Sequence, residues 1–182
     1  MVHTQAGMEL ARVTAVNSEH VVLVDELVRP EHLVLDYKTA YSGITEASLR
    51  HVTTTLVDAR AQLLQYIRAD TILVGHSLEN DLRALKLQHD LVIDSAVIYP
   101  RGVSTSTHQR DPRIKHSLRH LAKHILHRDI QSDPTVGHDS AEDARVALEL
   151  VQQKIALGPR HGFLFHARHR QPWRRSPHDR RY

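Results

Sequence analysis

Residues 71–94 read TILVGHSLENDLRALKLQHDLVID, and this stretch decides the fold class. Thr71 to Gly75 is a short apolar run that reads as a strand, and Leu91 to Ile93 reads as another. Between them Leu78, Leu82 and Leu85 recur at i, i+4 and i+7, which puts them on one face of a helix. Ser77 stands where an N-cap belongs, so the helix is expected to run through Lys86. Toward the N-terminus, Met8 to Val16 and His20 to Val28 are rich in Val and Leu and flank Asn17-Ser18, the pattern of a hairpin. Pro30 to Gly43 has no period and reads as irregular. Thr45 to Leu49 and Thr53 to Ile67 are helical, with Leu56, Leu63, Leu64 and Ile67 on one side. Toward the C-terminus, the spacing of Leu118, Leu121, Ala122 and Ile125 makes Ser117 to Leu126 helical, and a last helix runs from about Ser140 to Leu157. A hairpin followed by strands alternating with helices predicts an α/β fold with a sheet of mixed direction.

The chain has 182 residues, enough for one domain with a single core. Aromatics are only 4%, so that core must be aliphatic. The absence of cysteine excludes disulfides, thiolate metal sites and cysteine nucleophiles. No apolar run is long enough to span a bilayer, and Met1 to Ala6 lacks the charged and apolar regions of a signal peptide. A nuclear or cytoplasmic protein is expected, not a secreted or membrane one. The formal charge of +3 and pI near 9.4 are compatible with an RNA partner without demanding one. The charge is uneven. From Gly158 onward seven arginines, Arg160 to Arg181, stand against a single acid, Asp179, with Pro159, Pro172 and Pro177 opposing regular structure. This divides the chain into a domain over 1–157 and a basic tail over 158–182 that is expected to be disordered.

Three residues carry the chemistry. Asp81 lies three positions after Leu78, beside the buried stripe of its helix. A carboxylate facing inward is costly unless it is paired, protonated or bound to a metal. An acid at the edge of the stripe that reaches water or a lysine would also fit. Asp143 extends the inward stripe of the last helix, read as Ala144, Ala147, Leu148, Val151 and Ile155. Helix N-termini favour acids, and Asp139 with Glu142 is similar to a capping box, which accounts for some acids here but not for one pointing inward. His138 precedes that helix in the pattern H-x-x-x-x-D, and histidine has a pKa suited to taking a proton from water. In a chain with sixteen histidines, a surface histidine is the simpler reading of His138 alone.

Taken together, GHSLENDLRALKL (75–87), VIDSAVIYP (92–100), KHSLRHLAKHILHRDIQ (115–131) and GHDSAEDARVALELV (137–151) resemble the Rex-type RNA 3′→5′ exonucleases, of the Asp-Glu-Asp-Asp-His type. VRPEHLVLDYKTAYSGIT (28–45) resembles them too, and the likeness covers about residues 1–157. It implies a ribonuclease H-like mixed sheet with flanking helices. It further implies four carboxylates holding two divalent cations, Mg2+ or Mn2+, and single-stranded RNA 3′ ends as substrate. Asp81 and Asp143 match the third and fourth acids, and His138 matches the general base. The metals of such a site stabilise the attacking and leaving oxygens of an in-line displacement.

The chain departs from the pattern at one place. The family's first two acids form Asp-x-Glu on the first, central strand, and no Asp-x-Glu occurs anywhere here. Met1-Val2 stands where the continuation of that strand belongs, Asp25-Glu26 matches a different position, and Glu9 matches a structural glutamate. An N-terminally truncated domain, its central strand largely missing and its activity impaired, is the expectation. The alternatives are a non-catalytic nucleic-acid-binding module and an inactive fragment. Ser42 to Thr45 resembles the family's loop beside the substrate end, or is a plain turn before a capped helix. Lys115 to Arg119 reads as a helix surface charged for solubility, with phosphate contact as the alternative.

Overall fold

The computed structural model describes residues 1–100, 115–132 and 137–162. Its hairpin joins β3 (Arg12–Val16) to β4 (Val22–Leu27), antiparallel with Thr14 opposite Asp25. Val13 and Val24 point inward while Asp25 stays near the surface, as a period of two requires. The Asn17 side chain closes the loop, accepting from the backbone N–H groups of Glu19 at 3.0 Å and Val21 at 2.9 Å.

The expected single strand from Met8 to Val16 is two strands in two sheets. β1 (Val2–Thr4) pairs antiparallel with β2 (Gly7–Glu9) on one side and with β5 (Val34–Asp36) on the other. Leu10 and Ala11 carry the chain across to β3, and both are buried. β5 lies inside the stretch read as irregular. It is three residues long, too short to show a period, and a distant residue fixes its approach. The Glu9 carboxylate accepts from the backbone N–H groups of Glu31 and His32, and it lies 2.5 Å from the His32 ring. The same stretch ends in the short helix α1 (Thr39–Ser42). α2 (Glu46–Leu49) and α3 (Leu56–Leu63) follow, each opened by a capping box, on Thr45 with Ser48 and on Thr55 with Asp58. Leu63 is buried, but Leu64 is exposed because the helix stops there.

β6 (Leu73–Gly75) and β7 (Val92–Asp94) pair in parallel, with α4 (Glu79–Ala84) between them in sequence. Ser77 is not the cap of α4. It sits at φ 55° before the helix, and its N–H goes to the Asp94 carboxylate at 2.8 Å. After α5 (Ser95–Ile98), α6 (Leu118–Leu121) runs into a π-helical turn, Ala122–Leu126. α7 (Ser140–Leu157) is the long helix.

α7 packs against both β3 and β6 and against the α6 segment. With two layers around it, its buried face is wider than one stripe: Val146, Ala147, Leu150 and Val151 are all buried. The inward stripe read from sequence is corrected at Ile155, which is 73% exposed because the helix has by then run past the layers it packs on. Among the described residues the strands form three groups, β2-β1-β5, β3-β4 and β6-β7. No hydrogen-bonded strand joins β3 to β6, although one helix face supports both.

The division of the chain expected near Leu157 also meets a structural detail. α7 ends there, but residues 158–162 turn back onto the body. The His161 ring meets Tyr99 edge-on, Lys154 Nζ donates to the His161 carbonyl, and Gly162 lies flush against the Tyr99 ring. The arginines from Arg168 to Arg181 lie outside the described residues.

Candidate active site

α7 begins because Asp139 caps it, its carboxylate accepting from the Ala141 N–H at 2.9 Å. Asp143 comes one turn later on the side that continues into Ala147 and Val151, as its spacing predicts. Its carboxylate accepts from Gln131 Nε2 at 2.9 Å, and its other oxygen is 3.7 Å from His138 Nδ1. Burial pushes the Asp143 carboxyl above the usual carboxylate range, against the Gln131 hydrogen bond and the His138 charge, which pull it down. Sequence reasoning missed Gln131. It lies in a loop at φ 53°, and no helical or strand period marks it.

His138 is held from behind. Its N–H donates to the Tyr41 carbonyl at 3.3 Å, and its ring lies 6.0 Å from the Tyr41 ring, nearly perpendicular to it. Gly137, at φ 78°, lets the two loops close: a Cβ there would drive into the Gly43 backbone and the Thr39 carbonyl. Ser42 to Thr45 is a turn before the capped helix α2, and its backbone at Gly43 is also the wall against which the His138 loop rests. Ser140 and Thr14 share a hydroxyl–hydroxyl bond of 2.6 Å, tying the start of α7 to β3. Thr14 also donates to Asp25, which takes both arms of the Arg12 guanidinium at 2.7 and 2.8 Å.

Asp81 lies on α4, partly buried, and burial raises its carboxyl also. Its charged neighbours are the Met1 amine, which pulls its pKa down, and Glu79 and Asp94, which push it up. The turn that leads to Asp81 is tightly fixed. One oxygen of Asp94 accepts from Ser77 N and from Ala96 N, each at 2.8 Å, and Ser95 Oγ donates to the Gly75 carbonyl. Lys115 is committed to this corner, with Nζ 2.6 Å from Glu79 and 3.6 Å from Asp94. It is thus neither the solvated surface charge expected from sequence nor a free phosphate contact.

The structure brings His138 and Asp143 together. Asp81 shares no hydrogen bond or ion pair with either of them among the described residues. Hard divalent cations take about six oxygen ligands each. Asp81 and Asp143 match that donor chemistry, and their burial makes an uncompensated negative charge unfavourable. They do not match it in number. Among the described residues no group of three or more His, Cys, Asp or Glu side chains is placed to hold a metal. These residues alone do not build a two-ion centre.

Comparison with known proteins identifies the family. A family model described as an exonuclease matches residues 2–151. An uncharacterised exonuclease of Schizosaccharomyces pombe is 46% identical over 162 residues, 89% of this chain and 25% of that one. Human RNA exonuclease 5 is 45% identical over 157 residues, 86% of this chain and 19% of that one. The catalytic unit of Neurospora crassa Pan2 superposes with a TM-score of 0.74 at 27% identity, over 93% of this chain and 28% of the other. The Saccharomyces cerevisiae Pan2 module solved in complex with AAGGAA RNA gives 0.68 at 27% identity, over 82% of this chain and 25% of that one. The chain thus spans about a quarter or less of the length of these curated relatives. Exonucleases of this kind work with divalent metal ions. The family match over most of the chain, and the fold shared with the Pan2 nucleases, show that this protein belongs to the exonuclease family and has a ribonuclease H-like α/β fold.

Proposed function

We propose that this chain is the nuclease domain of a 3′→5′ exoribonuclease that trims single-stranded RNA from its free 3′ end. The observation that carries the reading is the pairing of His138 with Asp143 at the start of α7, in a chain so similar to RNA exonucleases. The His138 ring is half-buried and anchored through its backbone to the Tyr41 loop, which leaves its side chain free to take a proton from water. The Asp143 carboxylate lies 3.7 Å from Nδ1, beside the ring. Gln131 holds the other oxygen of Asp143 and so fixes which lone pairs face the site. Asp81 and Asp143 are the residues that would hold magnesium, the ion expected here, together with ligands beyond the described ones. When bound, the ions supply charge stabilisation of the attacking and leaving oxygens. A nuclear site of action, and RNA contacts by the arginine-rich segment, belong to the same reading.

The test is RNA end-trimming with magnesium on substrates labelled at the 5′ end. It compares this chain, the chain extended ahead of Met1 by a segment ending in Asp-x-Glu, and the extended chain carrying D81N, H138A or D143N. The expected result is weak trimming by the first, one-nucleotide ladders by the second, and loss of at least about a hundredfold in each variant, the scale of removing a general base. Internal cutting, equal cutting of 3′-blocked RNA, or unimpaired H138A and D143N would overturn the proposal.

A further inference from the structure

The helix that runs from α6 into the π-helical turn buries Leu118, Leu121, Ala122 and Ile125. Another of its sides carries a row of histidines. His116 precedes the Ser117 cap, His120 lies in α6 and His124 in the π-helical turn. His116 and His120 are half-buried and His124 is exposed, so packing of the core does not ask for histidine at these positions. In an α-helix of 3.6 residues per turn, position i+4 overshoots position i by about 40°. The π-helical turn is wider and takes part of that overshoot back, and such turns recur at functional sites. The His116 and His120 rings are stacked, 4.4 Å between centroids and 4° from parallel. The His120 and His124 rings are 4.3 Å apart and inclined at 50°. An imidazole nitrogen binds zinc at about 2.0–2.1 Å, so two rings at right angles round one ion have centroids about 4.5 Å apart. Each ring nitrogen donates in its own plane. The parallel planes of His116 and His120 keep their lone pairs apart, whereas the inclined planes of His120 and His124 intersect, so two lone pairs can meet on one ion. His116 lies flat against His120 and limits its rotation, which lowers the entropic cost of capture.

We propose that His120 and His124 form a binding site for one imidazole-preferring transition-metal ion, Zn2+, Ni2+ or Cu2+, apart from the carboxylates of the candidate active site. Two histidines at i and i+4 on a helix hold such an ion from one face. Among the described residues no third acid, cysteine or histidine completes the set, so water fills the remaining positions. The oxygens of Asp81 and Asp143 suit magnesium and the imidazoles suit zinc, nickel or copper, so the two places sort ions by chemistry. Lys115 and Lys123 on the same segment are each held by an acid, Glu79 at 2.6 Å and Asp129 at 3.4 Å, which lessens their repulsion of an incoming cation. A bound ion ties α6 to the π-helical turn and braces Leu121, Ala122 and Ile125 in the core they share with α7.

The experiment titrates the full chain with Zn2+, reading heat by calorimetry and the histidine ring nitrogens by NMR, and repeats the titration on H116A, H120A, H124A and H127A. The tightest event is expected to move the His120 and His124 rings together. Its affinity should fall at least about tenfold in H120A and H124A, fall less in H116A, and stay unchanged in H127A. A hundredfold excess of Mg2+ should not displace the zinc, and zinc should raise the melting temperature of the wild-type chain but not of H124A. His124 is exposed, so H124A decides the matter even if H120A folds poorly. Absence of zinc binding, rings other than His120 and His124 moving first, wild-type affinity in H124A, or displacement by Mg2+ would each overturn the proposal. None of these outcomes bears on the exoribonuclease reading.

Discussion

At the residue scale, the smallest side chain in the candidate site does much of the positioning. Gly137 combines a left-handed φ of 78° with a backbone neighbour, Gly43, where a Cβ would lie. Two penalties therefore fall on any substitution: strain at positive φ, and overpacking against atoms that cannot rotate away. Gly137→Ala should cost about 2–4 kcal/mol if the loops stay together. The alternative is that the loops part, carrying His138 away from Asp143 while the rest of the fold survives. Chemical denaturation together with the NMR shift of the His138 ring distinguishes these outcomes. A variant with wild-type stability and an unmoved ring would show that the contact is not needed. The burial that raises the carboxyls of Asp81 and Asp143 has the same character, since groups that cost stability in the free protein are those a bound cation would relieve.

At the scale of elements, α7 decides how much of the C-terminal segment belongs to the folded body. Its last turn ends at Leu157, but Lys154 lies 4.5 Å over the Tyr99 ring and donates onward to the His161 carbonyl. Tyr99 is itself buried, its hydroxyl donating to the Leu150 carbonyl at 2.9 Å, and burial pushes its phenol up to about 12. Residues 158–162 cover that ring. Cutting after Leu157 should therefore destabilise the protein by about 1–2 kcal/mol, through lost packing and a newly wetted Tyr99, whereas cutting after Gly162 should leave melting unchanged. Thermal melts of the two truncations decide it. Equal melting of the two would place the edge of the folded body at Leu157, where the sequence alone drew it.

On the scale of the whole molecule, the β-structure is divided. Among the described residues β3 and β6 rest on one helix, each pairing with a single neighbour, β4 or β7. Open edges leave backbone N–H and C=O groups to water and invite pairing with other strands. A strand laid between β3 and β6 would satisfy both edges, each added hydrogen bond contributing about 0.5–1.5 kcal/mol net. Extending the chain ahead of Met1 with a segment of strand-forming sequence ending in Asp-x-Glu should raise the melting temperature by at least about 4 °C, given the size of the chain. It should also slow amide exchange in β3 and β6 specifically. Unchanged exchange at those strands would mean that the edges do not face a shared gap.

The sequence by itself determined the α/β class, the β3–β4 hairpin and the span of α7, and it put the acids Asp81 and Asp143 on half-buried helix positions. Each of these is written in local chemistry: alternation around Asn17, an apolar period of 3.6, or an acid on an inward face. The four ordered blocks at 75–87, 92–100, 115–131 and 137–151 also identified the family. Only the tertiary structure decided what depends on partners distant along the chain. β5 was hidden because the Glu9 carboxylate, not a period, sets the path of the chain into it. Ser77 was mistaken for a cap because its N–H is satisfied by Asp94 from the neighbouring strand. Ile155 looked inward because a helical stripe says nothing about where the layers beneath it end. Gln131 and Tyr41 join the site through loop closure at Gly43 and Gly137, and close packing between loops leaves no periodic trace in a sequence.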